Sequence, residues 1–434
     1  MGGNLAQGSD SMTGWRRALE VYSDKRVLLI LPLGFSSGLP LLLTYSTLSA
    51  WLAKDGISRA TIGAFALVAI PYSFKFVWSP LIDRLPPPLR LGRRRGWGIT
   101  IQLLLIAAVL ALGLCDPRGN LVVMAAVALV VAFLSASQDI VIDAYRVEIL
   151  NAEEQGPGAA LIQAGYRIAM LVAGAGALLI ADHWDGDGRG WFAAYATMAA
   201  LLTVGLAVFI FNPEPEASSV AARRGPETFR QWLETAVIEP FRDFMRRPVW
   251  PAVLIFIFAY KLGEAMAGVM ATPLYIALGF TLTEIAAMSK LFGFFATIAG
   301  VLLGGVVTAR LGVMRALLVC GILQSLGNLA YVLQAVAGHR LDALALCVAL
   351  ENLTGGMAGT ALIAYLSSLC SPAFTATQYA LLSSIAVLGR TVIASSGGAL
   401  SVALGWVDFF LMTTVVTIPA LILLLWIGRR ERTT

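Results

Sequence analysis

The residues best placed to do chemistry lie in 133–150, which reads FLSASQDIVIDAYRVEIL. Asp139, Asp143 and Arg146 stand at i, i+4 and i+7, so they share one helix face. The stretch closes a long apolar run, where a membrane helix is expected to meet the cytoplasm. An ionised carboxylate in hydrocarbon costs at least ~2.5 kcal/mol. Asp139 is therefore expected to face a wet cavity or a partner, where it can take up and release a proton. Asp143 and Arg146 lie nearer the helix end and are candidates for gating; simple anchoring of that end is the alternative.

Seven more charged side chains fall inside apolar runs: Lys75, Arg167, Lys261, Glu264, Lys290, Glu351 and Arg390. Together with Asp139 and Asp143 they make five cations against four acids, a mildly positive cavity that suits an anionic ligand. Lys75, Arg167, Lys261 and Arg390 are candidates to bind it. Glu264 and Glu351 join Asp139 as candidates for proton coupling. Lys261 and Glu264 are three apart and can instead neutralise each other, and Lys290 can snorkel to the outer interface. Tyr72 neighbours Lys75, and a ring beside a cation suits a sugar or peptide. Gly38 belongs to GFSSGLP at 34–40, where glycines flanking serines before a proline are expected to loosen a helix and bare backbone polar groups. Close packing through small residues is the alternative. The only histidines, His183 and His339, fall in predicted loops. Cys115, Cys320, Cys347 and Cys370 show neither metal spacing nor a disulfide framework. With no nucleophile–base set or metal cluster, an enzyme is not expected, nor a cofactor.

The elements that must position these groups follow from composition. Of 434 residues, 58% are hydrophobic and 13% charged, and apolar runs of ~20 residues recur throughout, which marks a polytopic all-α membrane protein. The pattern predicts twelve spans: 27–53, 61–81, 97–114, 121–145, 158–181, 191–211, 249–278, 285–309, 316–337, 343–369, 378–404 and 409–428. Thr281 and Glu284 form a capping box at the start of the eighth. The polar first 26 residues show no short apolar core with a small-residue cleavage site, so no cleaved signal peptide is expected. With the N-terminus inside, the inner segments hold twenty-one Lys and Arg and the outer loops five, so both termini are expected in the cytoplasm. That asymmetry also accounts for the net charge of +5 without nucleic acid. The polar segment at 213–248 reads as a cytoplasmic linker, with an amphipathic helix around 229–244, between six-helix halves at 1–212 and 249–434.

The halves look like repeats. Arg167 and Arg390 are 223 residues apart, as are Gly174 and Gly397, and Gly56-Ile57 and Gly279-Phe280. Two loops at matching places, one with Asp83-Arg84 then Gly92 to Arg95, the other with Arg310, Gly312 and Arg315, are versions of the G-x-x-x-D-R-x-G-R-R signal of the major facilitator superfamily. Ser79 replaces the opening glycine of the first, Pro86-Pro87-Pro88 interrupts it, and the second lacks the aspartate. Parallel six-helix halves around a midplane site are that superfamily's architecture. Spans three, six, nine and twelve carry no charge, which suits its outer helices. Asp83 ends the second span, where an acid opposes the helix dipole and needs a partner. Arg93 to Arg95 and the N-terminus of the eleventh span near Thr377 are the candidates, which gives Asp83 and Arg93 a gating role.

GFSSGLP, YSFKFVWSPLIDR at 72–84, GRRRGW at 92–97 and SASQDIVIDAYR at 135–146 together resemble the AmpG muropeptide permeases, most densely over 27–182. The resemblance implies proton-driven import of anhydromuropeptides, the sugar–peptides of peptidoglycan recycling, across the bacterial inner membrane. It singles out Gln138 beside Asp139, a side chain with both a donor and acceptor, for substrate contact. A monomer in the lipid bilayer is expected. Related acetyl-CoA and siderophore permeases share parts of the pattern, and a facilitator-like scaffold that moves nothing is the alternative from another class.

Overall fold

The computed structural model describes residues 14–16, 18–89, 91–184, 189–216, 234–394 and 396–430. Among them, ten helices are long and apolar enough to cross a membrane: Lys25–Lys54, Arg93–Gly113, Leu121–Ile149, Gln155–His183, Gly190–Phe211, Trp250–Ala277, Thr283–Leu311, Val313–Ala337, Leu341–Ser368 and Trp406–Arg430. They are spans 1, 3 to 10 and 12 of the expected set, except that the second and eleventh are built from shorter pieces. Span 2 runs over 59–84 as three α-helical pieces joined by 3-10 turns at Phe65–Ala69 and Lys75–Val77. Pro71 and Pro80 each open a new piece, because proline gives no backbone donor and restricts the residue before it. Span 11 is Thr375–Ala394 followed by Gly397–Leu404.

The internal repeat is visible in hydrogen bonds. Span 1 ends at Gly56 with φ 79°, where the Gly56 N–H donates to Ala53 O and the Ile57 N–H to Leu52 O. Span 7 ends at Gly279 with φ 89°, where Gly279 donates to Ile276 O and Phe280 to Tyr275 O. Both are the same glycine-dependent helix stop, 223 residues apart. The capping box closes as its sequence implies: Glu284 accepts from the Thr281 N–H at 2.8 Å and Thr281 Oγ1 from the Glu284 N–H at 3.2 Å. The linker helix occupies Glu234–Ile238 and Glu239–Met245; the rest of the expected amphipathic segment lies outside the described residues.

The expected loosening at GFSSGLP does not occur. Ile30–Thr44 is one α-helix through Gly34, Gly38 and Pro40, and the next break is at Tyr45. The small residues serve packing instead. A side chain on Gly34 would strike the backbone of Ile162, one on Gly38 the carbonyl of Tyr166 and the side chain of Ala169, and one on Gly165 the carbonyl of Leu31. Spans 1 and 5 are thus in backbone contact, the use of small residues that membrane helices favour. Apolar cores fill each half, with Leu39, Leu105, Met124 and Leu202 in the first and Phe256, Leu317, Tyr365 and Leu424 in the second.

Candidate substrate cavity and gate

At the end that carries the linker, Asp83 bridges the halves. Its carboxylate accepts from the Thr377 N–H at 2.8 Å, Thr377 Oγ1 at 2.7 Å and the Ala376 N–H at 3.3 Å, all at the start of span 11. Arg94 Nη2 donates to it at 2.7 Å. The acid thus sits at a helix N-terminus, where backbone donors and the dipole favour negative charge. Arg94, Arg93 and the Thr377 hydroxyl offset the cost of burying this charge. Arg94, wholly buried, also meets Glu148 at the end of span 4. Arg93, the arginine expected here, takes a supporting place and donates to the Asp83 carbonyl at 2.8 Å. Gly92, with φ 97°, starts span 3, and the helical phase that follows turns Arg94 inward. Glu214 closes the same helix start by accepting from the N–H groups of Arg94 and Arg95 at 2.8 and 2.9 Å.

Arg94 is one of the three arginines the sequence offered to Asp83, whereas Glu148 was not singled out by sequence. The signal for Glu148 was present: like Asp83, it is an acid at a helix C-terminus and needs a cation.

Further from that end, Lys75 lies between the two acids of span 4. Its ammonium is 4.0 Å from Asp139 Oδ2 and 3.8 Å from Asp143 Oδ2. The 3-10 turn at Lys75–Val77 brings it there. Ser37 donates to Asp139 Oδ1 at 2.6 Å, and Tyr72 is a further neighbour of Asp139. Asp143 Oδ1 is 3.9 Å from Arg146 Nη2. The Arg146 guanidinium lies 5.3 Å from the centre of the Tyr379 ring on span 11. The three residues of one helix face therefore form a row from the membrane interior to the interface between halves.

In the second half, span 7 breaks between Ala259 and Leu262, and Lys261 stands at the break. It pairs with Glu264 and donates to the Gly355 carbonyl at 3.1 Å. The self-neutralising alternative for that pair is the one observed. Glu351 is within electrostatic reach of Glu264, Lys261 and, across the halves, Arg167. Arg167 is exposed. One turn before it, Gln163 donates across the halves to Thr360 Oγ1 at 2.8 Å.

Two of the expected ligand contacts are placed elsewhere. Gln138 is 1% exposed and donates to Ser36 Oγ at 2.9 Å and Gln102 Oε1 at 2.5 Å. It belongs to a polar knot joining spans 1, 3 and 4, while its neighbour Asp139, about 100° further round the helix, meets Ser37 and Lys75. Gly38 packs on span 5, as described above. The side chains of Arg390 and Lys290 lie outside the described residues.

A model of the Major Facilitator Superfamily matches residues 30–337. Over 408 residues the chain is 44% identical to the anhydromuropeptide permease of Escherichia coli K12, covering 94% of this chain and 80% of that protein. The chain is an AmpG-type permease of the major facilitator superfamily. This permease is also 35% identical over 416 residues to putative transporter AmpG 4 of Rickettsia conorii, covering 95% and 99% of the two chains. Its fold is similar to that of FucP in the outward conformation, with a TM-score of 0.66 at 12% identity over 92% of this chain and 98% of that one. The human organic anion transporter MFSD10 is similar at a TM-score of 0.63 and 17% identity, covering 94% and 99%. The permease is a multi-pass membrane transporter and not an enzyme.

Proposed function

We propose that this permease imports anhydromuropeptides by alternating access, driven by the proton gradient, as a monomer in the bacterial inner membrane. Two six-helix halves, 1–212 and 249–434, rock about the linker at 213–248, with both termini cytoplasmic. The observation that carries the reading is the Asp139–Lys75 pair inside the membrane of a chain 44% identical to an anhydromuropeptide permease. An intramembrane carboxylate costs too much to persist without a task or partner. Muropeptides bring carboxylates, hydroxyls and amides. Arg167, exposed and near the midplane, is assigned the ligand's carboxylate, with Lys75, Lys261 and Tyr72 around it. Asp139 is assigned the proton, with Glu351 and Glu264 next in order. Asp83, Arg93, Asp143 and Arg146 form the cytoplasmic gate, since the contacts they make span or flank the seam between halves.

The test is uptake of labelled anhydromuropeptide into proteoliposomes with and without an imposed pH gradient. Accumulation that needs the gradient supports the proposal. Uptake indifferent to the gradient removes proton coupling, and no uptake removes the substrate.

A further inference from the structure

Arg146 is an unusual cation. Its side chain is fully buried, and apart from the Tyr379 hydroxyl within its reach its guanidinium nitrogens make no hydrogen bond of good geometry among the described residues. Its nearest carboxylate oxygen is Asp143 Oδ1, at a loose 3.9 Å, and its guanidinium carbon lies over the Tyr379 ring of the opposite half. A buried charge whose partner is removed is strongly destabilising. The other oxygen of Asp143 faces Lys75, which Asp139 shares. The titratable groups around Asp143 are thus Lys75 from span 2, Asp139 and Arg146 from its own span, Tyr379 from span 11 and Cys370 from the loop before it.

We infer that Arg146 transmits the charge state of the Asp139 site to the gate. While Asp139 is ionised it shares Lys75, and Asp143 is free to hold Arg146. When Asp139 is neutralised, Lys75 moves wholly to Asp143, and Arg146 is left without a counterion. The closed interface then buries an unpaired guanidinium, and separation of spans 4 and 11 relieves it by hydration. The row Lys75–Asp143–Arg146–Tyr379 is a lever that opens the gate from a site deeper in the membrane. The inference rests on the proposed role of Asp139, but its test needs neither substrate nor gradient.

Cys370 is a native reporter, within electrostatic reach of Arg146, Asp143 and Asp83. In full-length permease carrying Cys115→Ala, Cys320→Ala and Cys347→Ala, reconstituted in nanodiscs, the rate of maleimide labelling at Cys370 reports gate opening. Asp143→Asn should raise the rate at least ~5-fold, because Arg146 loses its partner. Lys75→Met should lower it at least ~3-fold, because Asp143 then serves Arg146 alone. Adding Arg146→Gln to Asp143→Asn should return the rate toward the parent. A variant that merely loosens the fold speeds labelling in every case, so the opposite signs are decisive. Equal directions for Asp143→Asn and Lys75→Met, no change in either, or a double variant as reactive as Asp143→Asn overturns the inference. A failure of muropeptide uptake alone leaves it standing.

Discussion

Replacing Asp83 with asparagine should open the gate by about two orders of magnitude. Of the bonds to this carboxylate, the one from Arg94 stays within the first half in either state. Those from Thr377 and Ala376 break when the halves part. Asparagine loses the charge, and its amide would present a donor to N–H groups that themselves donate. Hydrogen bonds to charged groups contribute ~1.5–3 kcal/mol each. Counting only the two short bonds from Thr377, at the low end of that range, about 3 kcal/mol of closure is lost. At 1.4 kcal/mol per tenfold, that moves the closed-to-open ratio roughly 100-fold. Spin labels at Leu85 and Pro372, both exposed beside the gate, should change from one short distance to a population dominated by a longer one. An Asp83→Asn distance distribution identical to the parent would refute this account of the gate.

Other expectations follow from the same geometry. Arg167→Gln should weaken muropeptide binding about 10–100-fold, the range for one hydrogen bond to a charged group; calorimetry on purified protein checks it. Gly165→Leu should lower the unfolding temperature in detergent markedly, because its side chain meets the Leu31 carbonyl and overpacking costs ~1–3 kcal/mol or more. For orientation, a cysteine at Asn120 should react with an impermeant thiol reagent in intact cells, and one at Ser219 should not.

Span positions were legible in the sequence because a hydrocarbon slab imposes its thickness on apolar runs, and the observed helices differ from the expected ones by a few residues. The repeat was legible because a glycine stop demands a positive φ that few other residues adopt; Gly56 and Gly279 mark it. Asp83 and its partner Thr377 were legible because a helix end states which charge it accepts. Gln138 was not. Which neighbour of an aspartate faces the interior depends on helix phase and on what the adjoining helices offer, here Ser36 and Gln102. The same holds for choosing Arg94 over Arg93. GFSSGLP stayed open between two readings because glycine permits both loosening and close approach, and only the facing residues Ile162 and Gly165 select between them. Arg146 was placed at the gate by spacing, but the looseness of its carboxylate contact is a property of the packed interface.

The most direct measurement of the coupling claim sets accumulation beside exchange for the Asp139→Asn permease. Asparagine keeps the shape of the side chain and an acceptor for the Ser37 hydroxyl, but it cannot titrate. In proteoliposomes with an imposed pH gradient, the variant should fail to accumulate labelled anhydromuropeptide. It should still exchange labelled for unlabelled substrate, which requires no net proton movement. Normal gradient-driven accumulation by Asp139→Asn would contradict the account and pass the role of proton carrier to Glu351 or Glu264.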